Sequence, residues 1–245
     1  MTAAAGTRVE MLPGLINFQS CETRAVASGV AADLLATIIR KKLKADAHAK
    51  ASLVVSGGST PGPCFDLLSD ELLDWSRVTV VPSDERWVPV DHPDSNAQLI
   101  NSRLLRGQAS AGKLLPLFRE GIEAAGAPPL IEIELAGLIQ PFSAALLGMG
   151  EDGHFASLFP DFTDLQKALD PHRRASCILV KTKGSPHLRI SLTLSALLNS
   201  EHIVLLIFGE AKRAVFEAAC AGGSDYPVAG LINHLRTRLT VIWAP

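Results

Sequence analysis

Cysteine is scarce in this 245-residue chain: Cys21, Cys64, Cys177 and Cys220 are all it has. None forms a C-x-x-C pair or stands at zinc-ligand spacing from a histidine, which removes the common redox and zinc modules. Each lies in an apolar run, where a free thiol serves as a small core residue, and a reducing, cytoplasmic compartment is the expectation. Long apolar runs are missing too, since none approaches the ~20 residues that span a bilayer. The first residues, Met1 to Arg8, lack the charged start and apolar core of a secretion signal. Nor does charge of one sign dominate: 23 Lys and Arg face 25 Asp and Glu, a net charge of −2. No global field therefore favours nucleic acid or an anionic membrane, and an anionic ligand must be met by a local cluster of donors. No H-E-x-x-H spacing, internal repeat, low-complexity stretch or basic helix-turn-helix segment occurs. A metal, a membrane and a nucleic acid are thus not expected.

Apolar residues, in contrast, are plentiful at 47%. That is ample for one α/β domain over residues 1–245, with room for a smaller lobe. From Glu22 to Leu43 they recur at helical spacing (Val26, Val30, Leu34, Ile38), and Arg40, Lys41, Lys42 and Lys44 suit the dipole at the far end. Short apolar runs at 51–55, 77–81, 144–147, 177–180, 203–208 and 239–243 are apolar on both faces and read as buried parallel strands. Helical segments are expected at 94–105, 130–139 and 210–221, giving a mostly parallel sheet with helices on both faces, a three-layer arrangement. In such sheets ligands bind beyond the carboxyl ends of the strands.

Polar clusters fall at those ends. Ser56-Gly57-Gly58-Ser59-Thr60-Pro61-Gly62 follows the first strand. Its glycines expose backbone N–H groups, and Ser59 or Thr60 is expected to cap a helix begun at Pro61, a ready anion site. It is neither a Walker A loop nor a G-x-S-x-G elbow. Ser83-Asp84-Glu85-Arg86-Trp87 follows the second strand. Arg86 matches phosphate oxygens in bidentate geometry, and Asp84 is a candidate to orient other groups. Gly148-Met149-Gly150-Glu151-Asp152-Gly153-His154 follows the third. It fits G-x-G-x-x-G, but Pro160 comes too soon for the long helix of a dinucleotide site. Gly150 and Gly153 instead frame His154, the histidine placed for chemistry. Arg189 sits in a strand-like run leading into a helix. Lys212 occupies the first turn of a helix, where a cation is unfavourable unless an anion is present.

In order along the chain, Gly57-Gly58-Ser59-Thr60-Pro61, Asp84-Glu85-Arg86-Trp87-Val88-Pro89 with Ser95-Asn96, and Gly148 to Pro160 resemble the 6-phosphogluconolactonase family, within the glucosamine-6-phosphate isomerase-like superfamily. The resemblance implies a sugar-isomerase-like α/β fold without cofactor. It also implies hydrolysis of 6-phosphoglucono-δ-lactone to 6-phosphogluconate in the oxidative pentose phosphate pathway, by a monomer or small homo-oligomer. By the same resemblance His154 is the catalytic base, and Arg86, Arg189 and Lys212 line the phosphate and sugar site. Two departures stand out. Phe155 replaces the usual threonine, expected to remove a hydroxyl contact or reshape the pocket mouth, and Asp161 replaces the usual glycine.

Opening a lactone requires a positioned water, one base and donors for an oxyanion, tasks that His154 and the glycine turns can meet. Amino-sugar-phosphate deaminases share the Gly-Ser-Thr-Pro turn and the Asp-Gly-His loop but continue with Asn-Glu-Pro, where this chain has Phe155-Ala156-Ser157-Leu158-Phe159-Pro160. A non-catalytic sugar-phosphate sensor is a third reading, and would dispense with His154.

Overall fold

The computed structural model describes residues 7–11, 14–138 and 140–245. The leader reading rests largely on residues 1–6, and the end of the 130–139 helix rests on Ile139; both lie outside the described residues.

Among the described residues eleven strands run in chain order: β1 Thr7–Met11, β2 Ile16–Cys21, β3 Ala51–Val55, β4 Val78–Pro82, β5 Asp84–Arg86, β6 Lys113–Leu114, β7 Ala144–Leu147, β8 Cys177–Val180, β9 Arg189–Leu192, β10 His202–Phe208 and β11 Arg238–Ala244. The helices are α1 Arg24–Lys44, α2 Gly62–Ser69, α3 Asn96–Arg103, α4 Ala127–Ala136, α5 Leu165–Ala168, α6 Leu194–Leu198, α7 Glu210–Ala221 and α8 Pro227–Asn233. The large sheet has the order β1-β2-β11-β10-β7-β3-β4-β6, parallel throughout except for β1 against β2.

The period of two along each strand divides the core between two faces. Leu53, Val55, Ala144, Leu146, Val204 and Leu206 pack under α1, α2 and α3. Val54, Ala145, Leu147, Ile203, Leu205 and Ile207 face α4 to α8. Both faces are covered, which is why these strands are apolar at every position. Helix α1 starts where the Thr23 hydroxyl accepts from the Val26 amide, and ends in Lys41, Lys42 and Lys44.

Two sequence expectations fail. Cys177–Val180 does not join the parallel sheet; β8 pairs antiparallel with β9, and β9 with β5, in a separate three-stranded sheet. An apolar run reports burial, and here Cys177 and Val180 are buried while Ile178 and Leu179, packed against the same core, stay half-buried. Cys220 is exposed on α7 rather than in the core, unlike Cys21, Cys64 and Cys177. It lies one turn beyond the buried Phe216, but on the shoulder of the amphipathic face rather than at its centre.

The strand order fixes where a ligand can sit. From β3 the chain moves outward to β4 and β6, then returns to β7 on the other side of β3. The loops leaving β3 and β7 therefore diverge, opening a crevice at a topological switch point. Among the described residues no helix is long and apolar enough to cross a membrane.

Candidate active site

A cleft of about 370 Å³ opens at that switch point, and the segments leaving β3, β4, β7 and β10 contribute to its wall. After β3, Gly57, Gly58, Ser59 and Thr60 line it, with no acceptor for their backbone N–H groups among the described residues. Gly58 has φ +85°, the left-handed region that favours glycine. A Cβ on Gly57 would collide with the Asn96 side-chain amide. The capping expectation needs correction: α2 begins at Gly62, Pro61 is its N-cap, and no side chain caps it. Pro61 already holds helical angles, so Ser59 and Thr60 remain cleft-lining hydroxyls.

After β7 the chain closes a tight loop in which the Gly150 amide donates to the His154 carbonyl (2.8 Å) and the Gly153 amide to the Gly150 carbonyl (3.1 Å). No long helix follows, consistent with rejecting a dinucleotide site; the next helix is the four-residue α5. His154 Nδ1 lies 2.5 Å from Asp152 Oδ1, and the same oxygen accepts from the His154 amide at 3.2 Å. Burial pushes the Asp152 carboxyl upward, but the bonds to His154 outweigh it and leave the pKa below the ordinary value. Asp152 is thus an ionised acceptor to which His154 Nδ1 can donate. A side chain on Gly150 would strike both His154 Nδ1 and Asp152 Oδ1, so this pair needs glycine there. Gly153 does not line the cleft. At φ +76° it lies against Tyr226, whose Cβ would be 2.7 Å from an added Cβ. Phe155 does line the cleft, with its side chain otherwise fully buried in the core beneath the loop.

Among the described residues Asp84 makes no hydrogen bond to His154 or Asp152. It accepts from Ser83 (3.0 Å) and Ser157 (2.5 Å) and faces the Arg189 guanidinium at 3.6 Å. Its position therefore supports Arg189, which also donates to Ser185 and Ser157. Burial lowers the Arg189 pKa, and the Asp84 charge opposes that. Phe159 links the two halves of the site, with its ring 4.2 Å from the His154 ring and the Arg189 guanidinium 5.3 Å over it. Antiparallel pairing of β5 with β9 puts Arg86 opposite Arg189.

Arg86 is held by its own neighbours. Its Nη1 donates to the Asp94 carbonyl (2.6 Å), while the buried Nε has no partner. Beneath it Glu85 is fully buried and accepts from the Asn96 and Ala97 amides at 2.7 Å each. Burial raises the Glu85 pKa, and those amide bonds at the start of α3 oppose the rise. Lys212, third residue of α7, lines the cleft with no carboxylate partner among the described residues. Of the residues proposed from sequence, all but Gly153 meet at this cleft. Sequence reasoning left Asp152 without a role although Asp-x-His was visible. It also passed over Phe159, Ser157 and Ser56, whose buried hydroxyl has no partner. Among the described residues no group of three or more His, Cys, Asp or Glu could hold a metal ion.

Known proteins resemble this chain in sequence and in fold. The family described as glucosamine-6-phosphate isomerases/6-phosphogluconolactonase matches residues 22–243. A 6-phosphogluconolactonase from Pseudomonas aeruginosa is 40% identical over 198 residues, covering 80% of this chain and 82% of its own length. One from Rhizobium meliloti is 37% identical over 228 residues, covering 92% and 95%. The crystal structure of a 6-phosphogluconolactonase from Shewanella baltica superposes with a TM-score of 0.89 at 35% identity, covering 96% of this chain and 100% of that one. This chain belongs to the glucosamine-6-phosphate isomerase/6-phosphogluconolactonase family.

Proposed function

We propose that this protein is a carboxylic ester hydrolase that opens 6-phospho-D-glucono-1,5-lactone to 6-phospho-D-gluconate, the lactone step of the oxidative pentose phosphate pathway, with His154 as general base and without a metal. The observation that carries the reading is the Asp152–His154 pair set in a cleft whose wall also holds Arg86, Arg189 and Lys212. Family membership narrows the substrate class to phosphorylated sugars, and the close relatives' shared name narrows the reaction.

The chemistry follows from the groups present. Asp152 fixes the tautomer of His154, so that Nε2 takes a proton from water as it attacks the lactone carbonyl. The developing oxyanion needs donors, and the unpaired amides of the glycine turn supply them without reorganisation. The protonated imidazole then returns its proton to the departing ring oxygen, leaving a hydroxyl and a carboxylic acid, which ionises by releasing water's second proton to solvent. A general base contributes about 10²–10⁴-fold, and positioning supplies more. The phosphate lies far from the reacting carbonyl, so its binding to Lys212 and Arg86 holds the lactone in register.

The experiment offers the protein fresh 6-phosphogluconolactone and glucosamine 6-phosphate separately. Deamination needs a second proton-transfer group beside the histidine, and the residues that follow His154 (Phe155, Ala156, Leu158) carry none. Acid release from the lactone and no ammonia from the amino sugar is the expected result. Ammonia production at a comparable rate would overturn the reading.

A further inference from the structure

At the other end of the sheet lies a second polar cavity, of about 640 Å³. It sits where the chain enters β7, β10 and β11, lined by Pro141, by Asn199 and Ser200, and by Arg236 and Thr237. The loop before β8 closes it with Pro171, His172, Arg173, Arg174 and Ser176, and α6 adds Ser195. The candidate active-site cleft is built where the chain leaves two of these strands, β7 and β10, together with β3 and β4. One strand length, roughly 20 Å for a run of about six residues, separates the two.

The lining is chemically one-sided. Three arginines and a histidine contribute to it, and no aspartate or glutamate does. Among the described residues Arg173, Arg174 and Arg236 have no carboxylate partner, and the one side-chain hydrogen bond they make runs from Arg236 to the Pro171 carbonyl (3.2 Å). The nearest loop carboxylate, Asp170, is turned to the His172 amide at 2.9 Å. Arg173 Nε is buried and has no acceptor at all. A buried, unsatisfied guanidinium N–H costs free energy and calls for an acceptor. Around these cations stand the hydroxyls of Ser176, Ser195, Ser200 and Thr237 and the amide of Asn199. Guanidinium forks with small hydroxyls are the donor set that suits the oxygens of a phosphate dianion. In a chain of net charge −2, three unpaired arginines in one cavity are not explained by overall charge balance.

We propose that this cavity is a second anion site, distinct from the catalytic cleft, that takes a small phosphate monoester or inorganic phosphate. The volume suits a ligand of sugar-phosphate size rather than a polymer. The inference does not rest on the lactonase reading, since no residue of the cleft takes part in it.

The test is a titration of the full chain with inorganic phosphate at constant ionic strength, followed by amide chemical shifts. The amides of Ser176, Ser195, Asn199 and Thr237 should shift along one saturable curve, separate from the curve at Gly58 to Thr60. Arg174 is exposed and unpartnered, so Arg174→Ala should leave the spectrum folded and weaken phosphate at the distal amides several-fold. Arg174→Ala/Arg236→Ala should weaken it by more than tenfold, with the cleft curve and lactone turnover unchanged. The proposal is overturned if the distal amides show no saturable shift. It is equally overturned if the double variant binds phosphate there as the parent does, or if chloride at the same ionic strength produces the same shifts.

Discussion

Replacing Asp152 by Asn tests the account at its most specific contact. The carboxylate lies 2.5 Å from His154 Nδ1 and also accepts the His154 amide, so the substitution keeps shape while removing the charge. An amide at 152 can present its NH2 to Nδ1, which would put the histidine proton on Nε2 and leave no base facing water. In a fully buried triad the same change costs about 10⁴ in kcat. Here the Asp152 side chain is 48% exposed and His154 28%, so solvent screens the charge and water can restore the tautomer. The expected loss is therefore smaller, roughly 10–10²-fold, out of the ~10²–10⁴ a general base supplies. It should fall on kcat with KM within about twofold, because Asp152 is not among the cleft-lining residues. The assay is proton release from freshly made 6-phosphogluconolactone, followed with a pH indicator and corrected for spontaneous opening. A folded Asp152→Asn protein with parental kcat, or a loss confined to KM, would refute the reasoning.

Three further outcomes are expected. Lys212→Ala and Arg86→Ala should each weaken substrate by about tenfold or more, as loss of a charged hydrogen bond does. Inorganic phosphate should compete less well in both, and inhibition constants unchanged from the parent would remove these residues from phosphate recognition. His202 gives a pH dependence: burial, aided by the Arg238 charge, lowers its pKa from 6.5 to about 4, and it bonds Thr240 at 2.9 Å. The unfolded chain then binds the proton first, so stability is complete above pH 6.5 and falls as pH drops toward 4. Linkage puts the loss between pH 7 and pH 5 at about 2 kcal/mol. Urea unfolding of His202→Gln should lack that increment, and an identical pH slope would contradict the assignment.

What the sequence disclosed and what it hid have physical causes. The central strands β3, β7, β10 and β11 were legible because both faces of the sheet are covered, which makes every position apolar. The loops at their carboxyl ends were legible for the converse reason: glycines at 57, 58 and 150 are needed for positive φ or close approach, and nothing else there is dispensable in size. Strand β2 was missed. It reads Ile16-Asn17-Phe18-Gln19-Ser20-Cys21, alternating and polar, and it lies next to the antiparallel β1 near one margin of the sheet. The small sheet was hidden because its partners, Asp84–Arg86 and Arg189–Leu192, are about a hundred residues apart and no local pattern records that pairing. The same pairing decides which group Asp84 faces, something the sequence left open. Its partner Arg189 arrives on β9, whereas the acid that touches His154 sits two residues before it. Phe155 was expected to bear on the pocket, and it does line the cleft, but its full burial beneath the loop was not legible because it depends on packing against distant core residues.

The most direct measurement is acid release from 6-phosphogluconolactone by the parent and by folded His154→Ala, each corrected for uncatalysed opening. The account predicts catalysis by the parent, unaffected by exhaustive chelation, and a loss of at least about 10²-fold in the variant. Failure of the parent to accelerate lactone opening, or a variant retaining more than a tenth of the parental rate, would contradict it.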